Sequence, residues 1–157
     1  MKGLITFLRT SGIILFFILS WQLALSQHLE IDSLENTLNS KDDTVKVLNL
    51  VRLSALYQEI DSKKSFSLAM KAFIMAQHLS YDHGEYNAIG QISTFYEEKG
   101  DLLNALKETQ QQLLIAEKIK DIRLTARSYT RIGNIYNYLE SAGFLITTLK
   151  NGLKLIK

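Results

Sequence analysis

Three pairs of the form small residue, x, x, Tyr recur along this chain. They are Ser54 with Tyr57, Ser93 with Tyr96 and Gly133 with Tyr136, at spacings of 39 and 40 residues. An aliphatic residue precedes each pair: Leu53, Ile92 and Ile132. A second marker, Ala76, Ala116 and Ile156, repeats at 40 and 40. Ahead of each marker lies a series at i, i+4, i+7 and i+11, which shares one face of a helix. The first series is Ser65, Ala69, Ala72, Ala76, the second Ala105, Thr109, Gln112, Ala116, and the third Leu145, Leu149, Gly152, Ile156. A period this long marks a stacked array, because one helix pair cannot bury its apolar stripe alone.

Turn signals divide each unit into two helices. Lys99-Gly100-Asp101 is the clearest, since Gly can take the left-handed conformation that ends a helix and Asp can cap the next. The first unit uses Asp61-Ser62 and the third Ser141-Ala142-Gly143. Ser80-Tyr81-Asp82-His83-Gly84 and Lys120-Asp121 separate the units. The expected helices cover 30–39, 43–59, 63–80, 84–99, 102–119, 122–139 and 142–156. The absence of proline from all 157 residues favours such long helices. No stretch alternates apolar and polar residues long enough to suggest a sheet. The expected fold is all-α: an antiparallel helix-pair solenoid of about three units, whose small residues let the paired helices approach beside Tyr57, Tyr96 and Tyr136.

The first 26 residues read as an address. Lys2 and Arg9 stand without any acid before the apolar run Ile13–Leu19, and Ala24-Leu25-Ser26 supplies a small-x-small site. That is the layout of a cleaved signal peptide, and the run is short for a membrane span. An uncleaved anchor is the alternative. The expected organisation is a leader at 1–26, a lead helix within 27–45 and repeats at about 46–82, 83–121 and 122–157. The chain is expected to be exported, to a periplasmic or other extracytoplasmic place.

The units resemble tetratricopeptide repeats across most of residues 46–157. Ile92-Ser93, Tyr96, Gly100-Asp101 and Ala105 carry the likeness most closely. Ile132-Gly133 with Tyr136, and Leu53-Ser54 with Tyr57 and Ala69, Ala72, Ala76, repeat it. The family's usual repeat is 34 residues and closes with proline, whereas these units are longer and lack it. With its leader and Ile31-Asp32-Ser33-Leu34, the chain is also similar to the N-terminal extracytoplasmic region of Bacteroidetes-type tetratricopeptide proteins and sensor histidine kinases. The resemblance implies a protein- or peptide-interaction module serving as sensor or scaffold, in an array truncated within its last hairpin. A structural spacer without its own ligand is the alternative.

The resemblance also implies a concave groove lined by first-helix residues. In this chain these are Ala55, Gln58 and Glu59, then Asn87, Thr94, Glu97 and Glu98, then Arg127, Asn134, Asn137 and Tyr138. Each could equally belong to a solvated helix face, since exposed polar residues need no function. Arg123, Arg127 and Arg131 form a stripe that could grip carboxylates or pair with a neighbouring unit such as Glu117 or Asp121.

Catalytic constellations do not emerge from the sequence. His78 and His83 flank a turn near Asp82 and Glu85, without closed metal-ligand spacing. Adjacent Glu97 and Glu98 point apart on a helix, so they make poor acid–base partners. With no cysteine there is no thiol nucleophile, disulfide or Cys-ligated zinc. The expectation is therefore no enzyme activity, metal or cofactor.

The formal charge of +2 arises wholly from Lys2 and Arg9, so residues 27–157 balance at 16 basic and 16 acidic groups. That removes the case for nucleic-acid binding. Residues 27–117 hold 8 basic and 14 acidic groups, and residues 118–157 hold 8 and 2. This −6/+6 division suggests self-association through the unlike ends.

Overall fold

The computed structural model describes residues 26–39, 41 and 43–155, with side chains through residue 143. The expected leader lies outside the described residues except for Ser26, and the Ile156 marker lies outside them too. Among the described residues all regular structure is helical. The chain divides into residues 1–40 and 41–157. The first unit contains helix α1, 26–37, which begins four residues before the expected start. Nothing in Ser26–Leu29 breaks a helix, and His28 Nδ1 reaches Asp32 across one turn at 3.1 Å. Ile31 and Leu34 are buried.

The second unit holds α2 (Thr44–Tyr57), α3 (Ser62–His78), α4 (Asp82–Glu98), α5 (Leu102–Lys118) and α6 (Ile122–Leu155). Each of these packs on the next, and α2 also meets α4. Asp43, Asp61, Asp101 and Asp121 cap α2, α3, α5 and α6, accepting main-chain N–H bonds from the first turn. The Leu124 N–H, then that of Arg123 and its charge, hold the Asp121 carboxyl below the usual range against the smaller opposing effect of burial.

Three connections share one geometry. Ser80, Gly100 and Lys120 each have φ of 50° to 71°. The N–H of the following residue reaches back five positions: Tyr81 to Ala76 O, Asp101 to Tyr96 O and Asp121 to Ala116 O. A second bond reaches back three, as from Gly100 N–H to Glu97 O. This is the Schellman closure, which satisfies the last carbonyls of the preceding helix.

The core follows the small-residue series. Ser65, Ala69, Ala72 and Ala76 of α3 and Ala105, Thr109, Gln112 and Ala116 of α5 are all buried. Opposite them lie Val47, Leu50, Leu53 and Ser54 of α2 and Tyr86, Ile89, Ile92 and Ser93 of α4. The serines join the helix pairs through polar bonds. Ser54 Oγ donates to Ser65 O at 2.9 Å while Ser65 Oγ donates to Ser54 O at 2.8 Å. Ser93 Oγ donates to Ala105 O at 3.1 Å and meets Thr109 Oγ1 at 2.8 Å. Tyr57 and Tyr96 are half-buried beside these contacts, and Tyr96 meets the edges of Phe66 and Phe95.

Two expectations are corrected. The sequence places Gly84 where the turn 80–84 meets the next helix, but α4 begins at Asp82 and Gly84 is buried within it. A Cβ there would come within 2.4 Å of the Tyr81 ring and 2.7 Å of Val47 Cγ1, so the ring and the close approach to α2 together require glycine. The second correction is the break expected at Ser141-Ala142-Gly143. Helix α6 runs straight through it, and Ser141 Oγ bonds back to Asn137 O at 2.8 Å. Gly143 keeps a helical backbone, and Phe144 rather than an acid follows it. The left-handed residue and the capping Asp after it, which together close the α4–α5 and α5–α6 connections, are both missing here. Tyr136 accordingly packs beside no returning helix and is exposed.

Candidate functional site

Polar residues of α4, α5 and α6, with Gln58 in the turn after α2, meet in two adjoining depressions. The larger, about 560 Å³, is lined by Gln58, Thr94, Glu97, Glu98, Leu102, Tyr138, Ser141 and Ala142. The smaller, about 130 Å³, is lined by Val51, Tyr86, Asn87, Gly90, Gln91, Thr94, Gln112, Arg127 and Arg131. Thr94 is common to both.

Several of these side chains are held by their neighbours. The Arg131 guanidinium donates through Nε to Glu97 Oε1 at 2.6 Å and through Nη2 to Thr94 Oγ1. Ser93 Oγ also points at Glu97 Oε1, at 3.4 Å. Both members of the Arg131–Glu97 pair are about a quarter exposed, so the bridge is only partly screened by solvent. Glu98 accepts from Gln58 Nε2, which links the end of α2 to the end of α4. A planar, five-donor guanidinium suits this bridging of a carboxylate and a hydroxyl.

The floor of the smaller depression is set by an amide. Gln112 is the one long polar side chain in the two small-residue series, and it is buried. Its Nε2 donates to Tyr86 O at 3.0 Å. Gly90 makes room for it, because a Cβ there would lie 2.7 Å from that nitrogen. Tyr86 in turn places its hydroxyl 3.2 Å from Leu124 O and 3.3 Å from Ser128 Oγ, tying α4 to α6.

Of the residues expected in a groove, Gln58, Thr94, Glu97, Glu98 and Tyr138 line the larger depression, and Asn87, Thr94 and Arg127 the smaller. Ala55, Glu59, Asn134 and Asn137 are exposed and line neither. Sequence reasoning did not place Leu102, Ser141 and Ala142 in the larger depression, nor Val51, Tyr86, Gly90, Gln91 and Gln112 in the smaller. It named Arg131 only within a stripe, with Glu117 or Asp121 as the suggested partners rather than Glu97. The oversized Gln112 in a row of small residues was the available signal for the second depression.

The arginine stripe divides. Arg131 points into the groove, Arg127 lines the small depression, and Arg123 is almost fully exposed, 4.0 Å from Asp121. The charge of Lys118 meets Asp82 at 2.7 Å, and that hydrogen bond raises the lysine pKa, helped by the charges of Asp82 and Glu85 against a small effect of burial. His83 lies close enough to Asp121 for its charge to favour the carboxylate. No helix among the described residues is long and apolar enough to cross a membrane.

No family model and no curated protein matches the chain.

Proposed function

We propose that this chain is a non-catalytic interaction module built of tetratricopeptide-like hairpins, which receives a peptide or protein segment in the groove between α2, α4, α5 and α6. The observation that carries this reading is the larger depression, which draws its walls from α4, α5, α6 and the turn after α2. Its rim offers unlike chemistry in a small space: the Glu98 carboxylate, the Gln58 amide, the Tyr138 ring and the Leu102 side chain. A bound segment needs such acceptors and donors for its own main chain, alongside an apolar surface for a side chain. The 39–40 residue period and the identical turn closures support the repeat reading. In this reading the leader exports the chain, and the module is a sensor or scaffold part of an extracytoplasmic signalling system without metal or cofactor.

The internal bonding of Arg131 to Glu97 and Thr94 favours a second reading, a scaffold whose groove polar groups serve only the fold. A peptide library displayed on phage and panned against the purified chain separates the two. A ligand groove enriches related peptides whose binding falls at least tenfold in E98Q and in Tyr138→Ala. Absence of enrichment, or peptides that bind both variants as well as the parent, refutes the groove and leaves the scaffold.

A further inference from the structure

The larger depression holds one charge that the fold leaves unbalanced. Two carboxylates line it, Glu97 and Glu98. Glu97 is answered by Arg131, whose Nε lies 2.6 Å from its Oε1. Glu98 accepts from the neutral Gln58 amide, and among the described residues no cation pairs with it. The amide holds the carboxylate in place without cancelling its charge. No lysine or arginine lines the depression. Lys99, the next residue along the chain, is turned elsewhere: its Nζ donates to Ser62 Oγ at 2.9 Å and sits over the Phe95 ring. Glu98 is also the last residue of α4, where the helix dipole adds negative potential.

Much of the remaining wall is apolar. Leu102 at the start of α5 and Ala142 of α6 contribute to it, together with the Tyr138 ring, which is 60% exposed. Apolar walls, one aromatic ring and a single unanswered carboxylate suit a group with an aliphatic stem that ends in a cation. Such a stem covers apolar surface while its charged head stays at the rim. A ring beside the head adds a cation–π attraction. An apolar side chain in the same space would cover the walls but leave the Glu98 charge partly desolvated and unpaired. An acidic one would meet Glu98 as a like charge. The volume of about 560 Å³ has room for a long side chain.

We propose that the larger depression is a seat for a basic side chain, a Lys or Arg of the bound segment, with its stem against Leu102 and Ala142 and its head between Glu98 and the Tyr138 ring. This rests on the reading of the groove as a site for a peptide segment, and it names the chemistry that the segment brings.

Two small probes of equal length test the cation apart from any peptide. They are n-butylammonium and its neutral counterpart n-butanol, titrated into the isotope-labelled full chain and followed by NMR at the Thr94 and Ala142 methyls. The ammonium should bind at least about fivefold more tightly than the alcohol. Glu98→Gln keeps an acceptor for Gln58 and should melt with the parent, yet it should abolish that preference. No saturable shift with n-butylammonium, equal affinities for the two probes, or a preference that survives in Glu98→Gln would overturn the proposal. Phage-displayed peptides identify the source of the cation. Those enriched on the parent should carry Lys or Arg at one fixed position. Norleucine there should weaken binding at least about fivefold to the parent and leave binding to Glu98→Gln unchanged. Enriched peptides without a basic residue would overturn the cation seat and leave the groove standing. No enrichment, with n-butylammonium still preferred, would overturn the segment as the source and assign the seat to a free amine.

Discussion

Replacing Ser93 probes the packing that spaces the repeat. Its side chain is fully buried where α4 meets α5, with Oγ bonded to Ala105 O and in contact with Thr109 Oγ1. Ser93→Ala removes those bonds but strands neither partner, because Thr109 Oγ1 still donates to Ala105 O at 2.8 Å. The loss is then that of a typical net hydrogen bond, about 1 kcal/mol. Ser93→Leu loses the same bond and forces extra carbons between two helices in contact, which adds about 1–3 kcal/mol of overpacking. The packed helices span about a hundred residues, and in that size range 1 kcal/mol moves Tm by roughly 4–8 °C. Thermal unfolding followed by far-ultraviolet circular dichroism should show Ser93→Ala about 5 °C below the parent and Ser93→Leu some 10–20 °C below it. Ser67→Leu, on an exposed position of α3, should change stability by no more than about 0.5 kcal/mol. If Ser93→Leu melts with the parent, close approach at the small residues is not what builds the hairpins.

Two further outcomes follow from the turns and caps. Lys120 has φ of 59°, a region that costs a side-chain-bearing residue about 1 kcal/mol, so Lys120→Gly should raise the urea midpoint. Gly100→Ala, at φ of 71°, should lower the midpoint by a similar amount, and equal midpoints for all three chains would refute the strain argument. The pKa of Asp121 is lower folded than unfolded, so its contribution to stability is fully present above the ordinary Asp range. That contribution fades as pH falls through the ordinary range toward the folded value. The gap in Tm between the parent and Asp121→Asn should therefore narrow on acidification from about pH 7 to about pH 3. A gap independent of pH would refute the electrostatic role.

The hairpins were readable where a short stretch of chain contains the whole cause. The eight positions of the two series on α3 and α5, from Ser65 to Ala116, follow from helical spacing and the repeat register, and all are buried. Gly100-Asp101 likewise carries both halves of its turn in two adjacent residues. Reading failed where the cause lies elsewhere in the fold. Gly84 resembles a turn glycine, and the contacts that forbid a side chain come from the Tyr81 ring and from Val47, 37 positions earlier, which only the fold brings there. Arg131 finds Glu97 across 34 positions, through the stacking of α6 on the preceding hairpin. Gly143 resembles Gly100 in sequence, but Phe144 follows it where Asp101 follows Gly100, so the cap that helps start α5 has no counterpart there. Pattern locates a face, whereas the choice between two glycine roles depends on what arrives from outside.

Helix α6 carries its two surfaces on opposite sides of the same turns. Tyr138, Ser141 and Ala142 line the larger depression, while Glu140, among them in sequence, belongs with Gly133 and Tyr136 on an exposed face. The helical advance of 100° per residue separates these directions, so neither surface occludes the other. A charge placed at Gly133 therefore stays out of the groove, so Gly133→Arg should leave peptide binding within about twofold of the parent. Glu98 and Gln58 lie on α4 and in the turn after α2, and changes there act on the groove directly. Loss of peptide binding in Gly133→Arg, in a chain that melts with the parent, would show that the bound segment does not lie on the Tyr138 side of α6.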